Sequence, residues 1–470
     1  MKSNKLIFAI ALVVLTFSAQ AKPVDEQVAV TVAHSYYTMV LKQSAIGLTP
    51  AIVYRTSFVM EENAAELPGL YVVAFSDKGF VIVAGDDRSE PVIGFSTESG
   101  FDASAMPPAL SFMLDEYTKE MQAIAKSEAT TTSPRWASLL NYAMPAANAV
   151  VVGPLVTSHW HQQNPYNSLC PEDANSTAGG HVQVGCGAIV MGQVMRYWRW
   201  PVTGISSHSY TSNYGTLSAD FANTTYQYEH MPNTLSSSSS TIAINAVATL
   251  LYHCGVAVNM NYGPTASWSN SNNIVPALSA YFGYPATIQY KERNYYTDSQ
   301  WLDMTKGELD DFAPFFYGGT GSQGGHVFVC DGYRDDDYFH INWGFGGGYD
   351  GYFMLSDLTP GPYSFNSSQA IIIGIRGPQV PGGCTEHATA QLTVYPNPAN
   401  QTIHIALPES VDGCINLRIC DMEGRTVIAR QRACGASSQC DLDVSMLAPG
   451  IYLLNVDTRN GHFVQKVVIE

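Results

Sequence analysis

A thiol set between two glycines, at the head of a long apolar run, is the first arrangement in this chain that could do chemistry. The stretch "HVQVGCGAIVMGQVMRYWRWP", residues 181–201, places Cys186 between Gly185 and Gly187, with no second cysteine at CxxC spacing. Behind it, Ala188, Ile189, Val190, Met191, Val194, Met195, Tyr197 and Trp198 predict a helix that is apolar nearly all round and stops before Pro201. Such a helix belongs inside a domain. Its first turn carries unpaired backbone N–H groups and the positive end of the dipole. A thiolate there is stabilised, so the pKa of Cys186 is expected below the ~8.5 of free cysteine. The flanking glycines leave the sulfur and the nearby N–H groups open to a carbonyl, the geometry of nucleophile plus oxyanion hole. Taken alone, a cysteine starting a buried helix is more often structural.

A second stretch changes that balance. In "GGHVFVCDGYRDDDYFHINWGFGGGYDGYF", residues 324–353, two short strands are joined by an acidic turn, each carries one histidine, and a glycine-rich loop follows. Thiolate catalysis needs a base and a polar group that orients the base. His326 offers the imidazole, behind Gly324 and Gly325; Asn342 offers an uncharged orienter and Trp343 an apolar lid over that hydrogen bond. His340 is the rival base, because it alternates with Asn342 onto one face of its strand. Its competing assignment is a buried strand histidine hydrogen-bonded to backbone. His159, His181 and His253 take the same structural assignment.

Other elements must carry these stretches. Before them, "LYVVAFSDKGFVIVAGDD" holds two β-rich runs joined at Ser76-Asp77-Lys78-Gly79, a hairpin signal. "PPALSFMLDEYTKEMQAIAK" sets Leu110, Met113, Leu114, Tyr117 and Met121 at helical spacing. A small, polar, Pro-containing segment follows, the composition of a protease-accessible connection, with cleavage expected between about 125 and 150. Within the central unit, "TLSSSSSTIAINAVATLLYHCGVAV" predicts a loop that ends in a Ser/Thr-capped helix. After it, "GPQVPGGCTEHATA" is a linker, and short β-rich segments separated by turn residues predict a small antiparallel β-sandwich.

Length and composition bound the rest. The 470 residues exceed one ordinary core and point to about three domains. A net charge of −17 without Lys/Arg clusters argues against nucleic acid as a partner. The first residues, with Lys2 and Lys5, an apolar run from Leu6 to Phe17, and Ala19-Gln20-Ala21, have the layout of a secretory signal. That run is shorter than the ~20 residues a bilayer needs, and no later segment is expected to span one. Nine cysteines make an odd count for an exported chain. Cys414, Cys420, Cys434 and Cys440 repeat the spacing C-x5-C; three pairings are open, and no histidine has metal-ligand spacing to them. No cofactor or metal is expected.

The central residues resemble the streptopain-type cysteine peptidases, papain-like enzymes of bacteria. The matching stretches are "QQNPYN", "VGCGAIVMGQVMRYWRWP", "CGVAVNMNYGPTAS", "GGHVFVCDGY" and "FHINWGFGGGYDGYF", in the family's order, and they cover most of residues 150–377. The resemblance implies Cys186 as nucleophile, His326 as base, Gln162 as oxyanion-hole donor beside the Cys186 N–H, and Asn342 with Trp343 to orient and shield the histidine. Gln163, adjacent to Gln162, is the alternative donor. It also implies that the first unit is a prodomain keeping the enzyme latent, and that the P2 pocket prefers apolar side chains. Two features depart from the family: Gly187 and Ile189 stand in Gly-Cys-Gly-Ala-Ile where Gly-Cys-Val-Ala-Thr is usual, and the glycine-rich loop is shortened to "LTPGPYSFNSSQA". The tail, in "VYPNPANQTIHI", "LAPGIYLLNV" and "VQKVVI", resembles the sorting domain of the type IX secretion route.

The expected fold is α+β: a papain-like peptidase domain (149–377) after a signal peptide (1–21) and an α+β prodomain (22–148), then a linker (378–390) and a β-sandwich sorting domain (391–470). The expected function is a secreted or surface cysteine endopeptidase made as a zymogen. Its partners would be protein and peptide substrates, its own prodomain as intramolecular inhibitor, and the secretion machinery. A Cys/His amidase or transglutaminase-like enzyme, or a non-catalytic surface adhesin, are the alternatives.

Overall fold

The computed structural model describes residues 23–41, 48–60, 65–76, 79–127, 131–141, 150–321, 324–355, 369–377, 392–407, 413–421, 426–434, 439–458 and 461–470. The expected signal peptide and linker, most of the shortened loop at 358–370 and parts of the 125–150 processing segment lie outside them.

The first unit contains α1 (Glu26–Leu41), β1 (Ala51–Val59), β2 (Glu66–Ala74), β3 (Phe80–Ala84), β4 (Val92–Ser96), α2 (Pro108–Lys126) and α3 (Pro134–Leu140). The expected hairpin is the antiparallel pair β2–β3. Helix α2 opens on Pro108, whose missing N–H is no loss in a first turn, and it buries Leu110, Met113, Leu114, Tyr117 and Met121.

The central unit follows with β5 (Val150–Val152), α4 (Cys186–Trp198), β6 (Ser207–Ser212), β7 (Gly215–Asp220), α5 (Thr241–Ala257), α6 (Ile274–Phe282), β8 (Gln289–Glu292) and α7 (Asp298–Asp310). Then come β9 (Phe315–Gly321), β10 (Gly324–Arg334), β11 (Tyr338–Asn342), β12 (Gly351–Met354) and β13 (Gln369–Ile373). Ser240 caps α5, its hydroxyl accepting from the Ala243 N–H. Helix α4 packs closely on α5, because a Cβ on Gly192 would stand 2.6 Å from Leu251.

One sheet joins the two units. Its strand order is β1-β2-β3-β4-β12-β11-β10-β9-β13-β8, with β5 also on β10. The crossing is the antiparallel contact of β4 with β12, where Phe95 opposes Tyr352 and Gly94 opposes Phe353. A core follows the same route: Tyr36, Phe80 and Phe95 of the first unit pack in one cluster with Phe328, Tyr338, Trp343 and Phe353 of the central unit. A second core surrounds α4 and α5. The tail holds β14 (Thr393–Tyr395), β15 (Thr402–Ala406), β16 (Gly413–Cys420), β17 (Thr426–Cys434), β18 (Gln439–Asp443), β19 (Gly450–Thr458) and β20 (Gly461–Ile469). They form a three-stranded and a four-stranded sheet around a third core, a small antiparallel sandwich. Among the described residues, no helix is long and apolar enough to cross a membrane.

Candidate active site

Cys186 is the first residue of α4. Gly185 precedes it as N-cap at φ +90°, a backbone that side chains rarely adopt, and a Cβ there would meet Met260 at 2.6 Å. The N–H groups of Gly187 and Cys186 itself face the sulfur, and so does that of Val327 from β10. That third contact brings the helix start against the residue next to His326.

The thiol is not depressed as the dipole argument expects. Burial raises its pKa, and the three N–H groups lower it only in part. Desolvation of the anion outweighs the helix end here. His326, at the start of β10, moves the opposite way: burial lowers its pKa. A thiolate–imidazolium pair would shift each group in the reverse direction; burial here favours the uncharged form of both. The side chain against His326 comes from the first unit. Phe112 of α2, itself buried, sets its ring 6.2 Å from the imidazole at 44°.

Asn342 ends β11, opposite Val329 of β10. Its expected bond to the imidazole is not made. Its Oδ1 accepts from Gln193 Nε2 at 3.0 Å and from the Gly344 N–H at 3.0 Å, and its Nδ2 donates to the Ser158 carbonyl at 2.8 Å. Both acceptor positions on that oxygen are therefore occupied. Trp343 is buried against Phe328, with ring centroids 4.7 Å apart. Phe328 lies two residues from His326 and so on the same strand face. The Trp343 indole donates to the Tyr349 carbonyl and its backbone N–H to Asp350. The Gln162 carbonyl accepts from the Val184 N–H at 3.0 Å, which ties its loop to the approach to Cys186. The Gln163 N–H is spent on His161 Nδ1.

His340 is buried, as expected for a structural histidine, but its partners are carboxylates rather than backbone. Its Nδ1 lies 2.6 Å from Asp331 and its Nε2 3.0 Å from Glu98, a residue of the first unit. Burial works against its charge, yet Asp331 and then Glu98 outweigh that and lift its pKa to about 10. Glu98 in turn is lowered, chiefly by the His340 hydrogen bond. His159 faces Asp350, His181 the Cys170 carbonyl and His253 the Tyr226 hydroxyl. The Glu98–His340–Asp331 cluster was not legible from the sequence, because its members are 242 and 9 residues apart along the chain. Gln193 left one trace, as the uncharged polar side chain inside the apolar run behind Cys186.

The other central thiols are unsuited to attack. Cys170, Cys254 and Cys330 are buried, and burial raises all three pKa values, that of Cys170 to about 12. Among the described residues, no group of three or more His, Cys, Asp or Glu could hold a metal ion.

Three family models match the chain: Peptidase C10 family over residues 160–353, Spi protease inhibitor over 21–121, and secretion system C-terminal sorting domain over 393–470. Streptopain of Streptococcus pyogenes is 31% identical over 334 residues, spanning 66% of this chain and 82% of the relative. The thiol protease/hemagglutinin PrtT of Porphyromonas gingivalis is 29% identical over 391 residues, spanning 79% of this chain and 44% of that protein. Among solved structures, a prointerpain A fragment of Prevotella intermedia, a cysteine-to-alanine mutant, is 31% identical at a TM-score of 0.56, covering 69% of this chain and 99% of that one.

Proposed function

The chain belongs to the peptidase C10 family, and we propose that its catalytic residues are Cys186, His326, Gln162, Asn342 and Trp343, acting on protein and peptide substrates. It is a cysteine-type endopeptidase with an inhibitor-like prodomain, and its sorting domain directs it out of the cell or to the cell surface.

In the proposed reaction, departure of the prodomain rehydrates the site and lets the His326 imidazole take the Cys186 thiol proton. The thiolate sulfur then bonds to the scissile carbonyl carbon. The Cys186 N–H and the Gln162 side chain donate to the oxyanion. The carbon–nitrogen bond breaks as His326 returns its proton to the leaving amine. Water, deprotonated by His326, then hydrolyses the thioester and restores the thiol. Asn342 contributes by fixing the strand end, and Trp343 by walling the imidazole from solvent. An apolar P2 side chain is the expected preference, and cleavage between about 125 and 150 is the expected route to the mature enzyme.

One observation carries this reading: the sulfur faces the Val327 N–H, next to His326, while a prodomain phenylalanine covers that imidazole. The test is Cys186→Ala in the purified full chain. Both peptide hydrolysis and self-processing should vanish. Full activity in that variant would overturn the assignment.

A further inference from the structure

Beneath the site lies a side chain that none of these roles uses. Gln193 is fully buried in α4, seven residues after Cys186. Seven residues are two turns, so it shares a helix face with Cys186 about 10 Å further along. A buried amide in an apolar helix is costly unless its hydrogen bonds are made. Here they are made to two segments that come from elsewhere in the chain. Gln193 Oε1 accepts from the Trp160 N–H at 3.1 Å, and its Nε2 donates to Asn342 Oδ1 at 3.0 Å.

The direction of every bond in this cluster is set by backbone. The Trp160 N–H can only donate, so Oε1 must face it and Nε2 must face Asn342. The Gly344 N–H can only donate and the Ser158 carbonyl only accept, so the Asn342 amide is fixed as well. The Trp160 carbonyl completes the clamp, accepting from the Gly346 N–H of the glycine loop. Trp160 stands two residues before Gln162, whose carbonyl is bonded to Val184, two residues before Cys186.

We propose that Gln193 is a positioning residue for the peptidase reaction. Its amide fastens the loop of Gln162 and the strand end of Asn342 and Trp343 to the helix that presents Cys186. The inference rests on the catalytic reading above. It adds that the register between nucleophile, oxyanion donor and histidine wall is set by one side chain that never meets substrate.

The discriminating variant is Gln193→Glu, measured after the full chain is matured by an added serine protease that is then inhibited. Rates are counted per Cys186 titrated with a thiol-directed epoxide. The ionised carboxylate of this variant keeps the Trp160 bond but turns an acceptor toward Asn342 Oδ1, which cannot flip without facing the Gly344 N–H. Misplacement of this kind costs about 10²-fold in kcat. KM should change little. The ratio of variant to parent kcat should climb as pH falls, because the carboxyl group, once protonated, can donate to Asn342 again. Gln193→Met, which can make neither bond, should show the loss without the recovery on acidification.

Parent-like kcat in Gln193→Met, or in Gln193→Glu at a pH high enough to ionise the buried carboxyl group, would overturn the inference. So would a Gln193→Glu deficit that is flat with pH, an effect confined to KM or thermal stability, or failure of both variants to fold, which would make the residue a determinant of folding alone. Activity in Cys186→Ala would instead strike the catalytic reading. An inert Cys186→Ala beside a parent-like Gln193→Met would strike only this proposal.

Discussion

His326 and His340 sit on neighbouring strands of one sheet and both meet the first unit, yet their surroundings differ in kind. At His326 the prodomain supplies an aromatic ring, and burial drives the imidazole toward its neutral form. At His340 it supplies a carboxylate, and the imidazole is held charged between Glu98 and Asp331. The first contact withdraws water from the imidazole proposed to act as the base. The second fixes a charge on a histidine that has no part in the proposed reaction. In the proposed scheme silencing and anchoring are thus separated in space, each resting on a few side chains of the inhibitor-like prodomain.

Replacing each histidine in turn should separate the two effects. His326→Ala should lower kcat of the matured enzyme on the order of 10²- to 10⁴-fold, the worth of a general acid–base, while leaving the fold intact by circular dichroism. His340→Ala should do the reverse. It strands the buried Asp331 carboxylate, and breaking a buried pair costs about 3–5 kcal/mol, read as a lowered denaturation midpoint of the full chain. Equal losses of kcat in the two variants would erase the distinction.

Phe112→Ala sharpens the silencing half. Removing a packed phenylalanine costs about 3 kcal/mol, and water reaching His326 should let the thiol ionise. Alkylation of Cys186 in the uncleaved chain should accelerate at neutral pH; an unchanged rate would show that Phe112 is not the cover.

Glu98→Gln sharpens the anchoring half and has the smallest effect, because Glu98 is partly exposed. His340 is raised from 6.5 to about 10, chiefly by Asp331 and then Glu98, so its share of folding stability is complete below about 6.5 and lost as pH climbs toward 10. Glu98 is lowered from 4.5, so its share is complete above about 4.5 and lost as acid carries pH down through the depressed value. Protease resistance of the Cys186→Ala chain should therefore peak between about pH 4.5 and 6.5. Glu98→Gln should flatten that peak.

Much of this architecture was legible because it is local. The apolar run after Cys186, the α2 stripe, the hairpin before Phe80 and the Ser240 cap each follow from neighbours in sequence. Four of the five proposed site residues, all but Gln162, sit in two short stretches, which is why the sequence could single them out. What escaped is non-local. A carboxylate 242 residues from His340 leaves no pattern to read. The pKa of Cys186 was misjudged because a helix end can be seen in a sequence, whereas the burial that opposes it depends on the whole assembled fold. Asn342 is expected from sequence to orient His326, but its oxygen is already shared by Gln193 and Gly344, and neither partner is marked by a pattern around Asn342.

Because β4 is stitched into the sheet beside β12, with Phe95 stacked on Tyr352 at 5.5 Å, cutting the chain is not expected by itself to free the proposed site. The severed piece would stay zipped in place until a strand pair and its aromatic seam come apart. The onset of activity after cleavage should then follow the half-life of a non-covalent complex, a molecular clock that runs independently of how fast the peptide bond is cut.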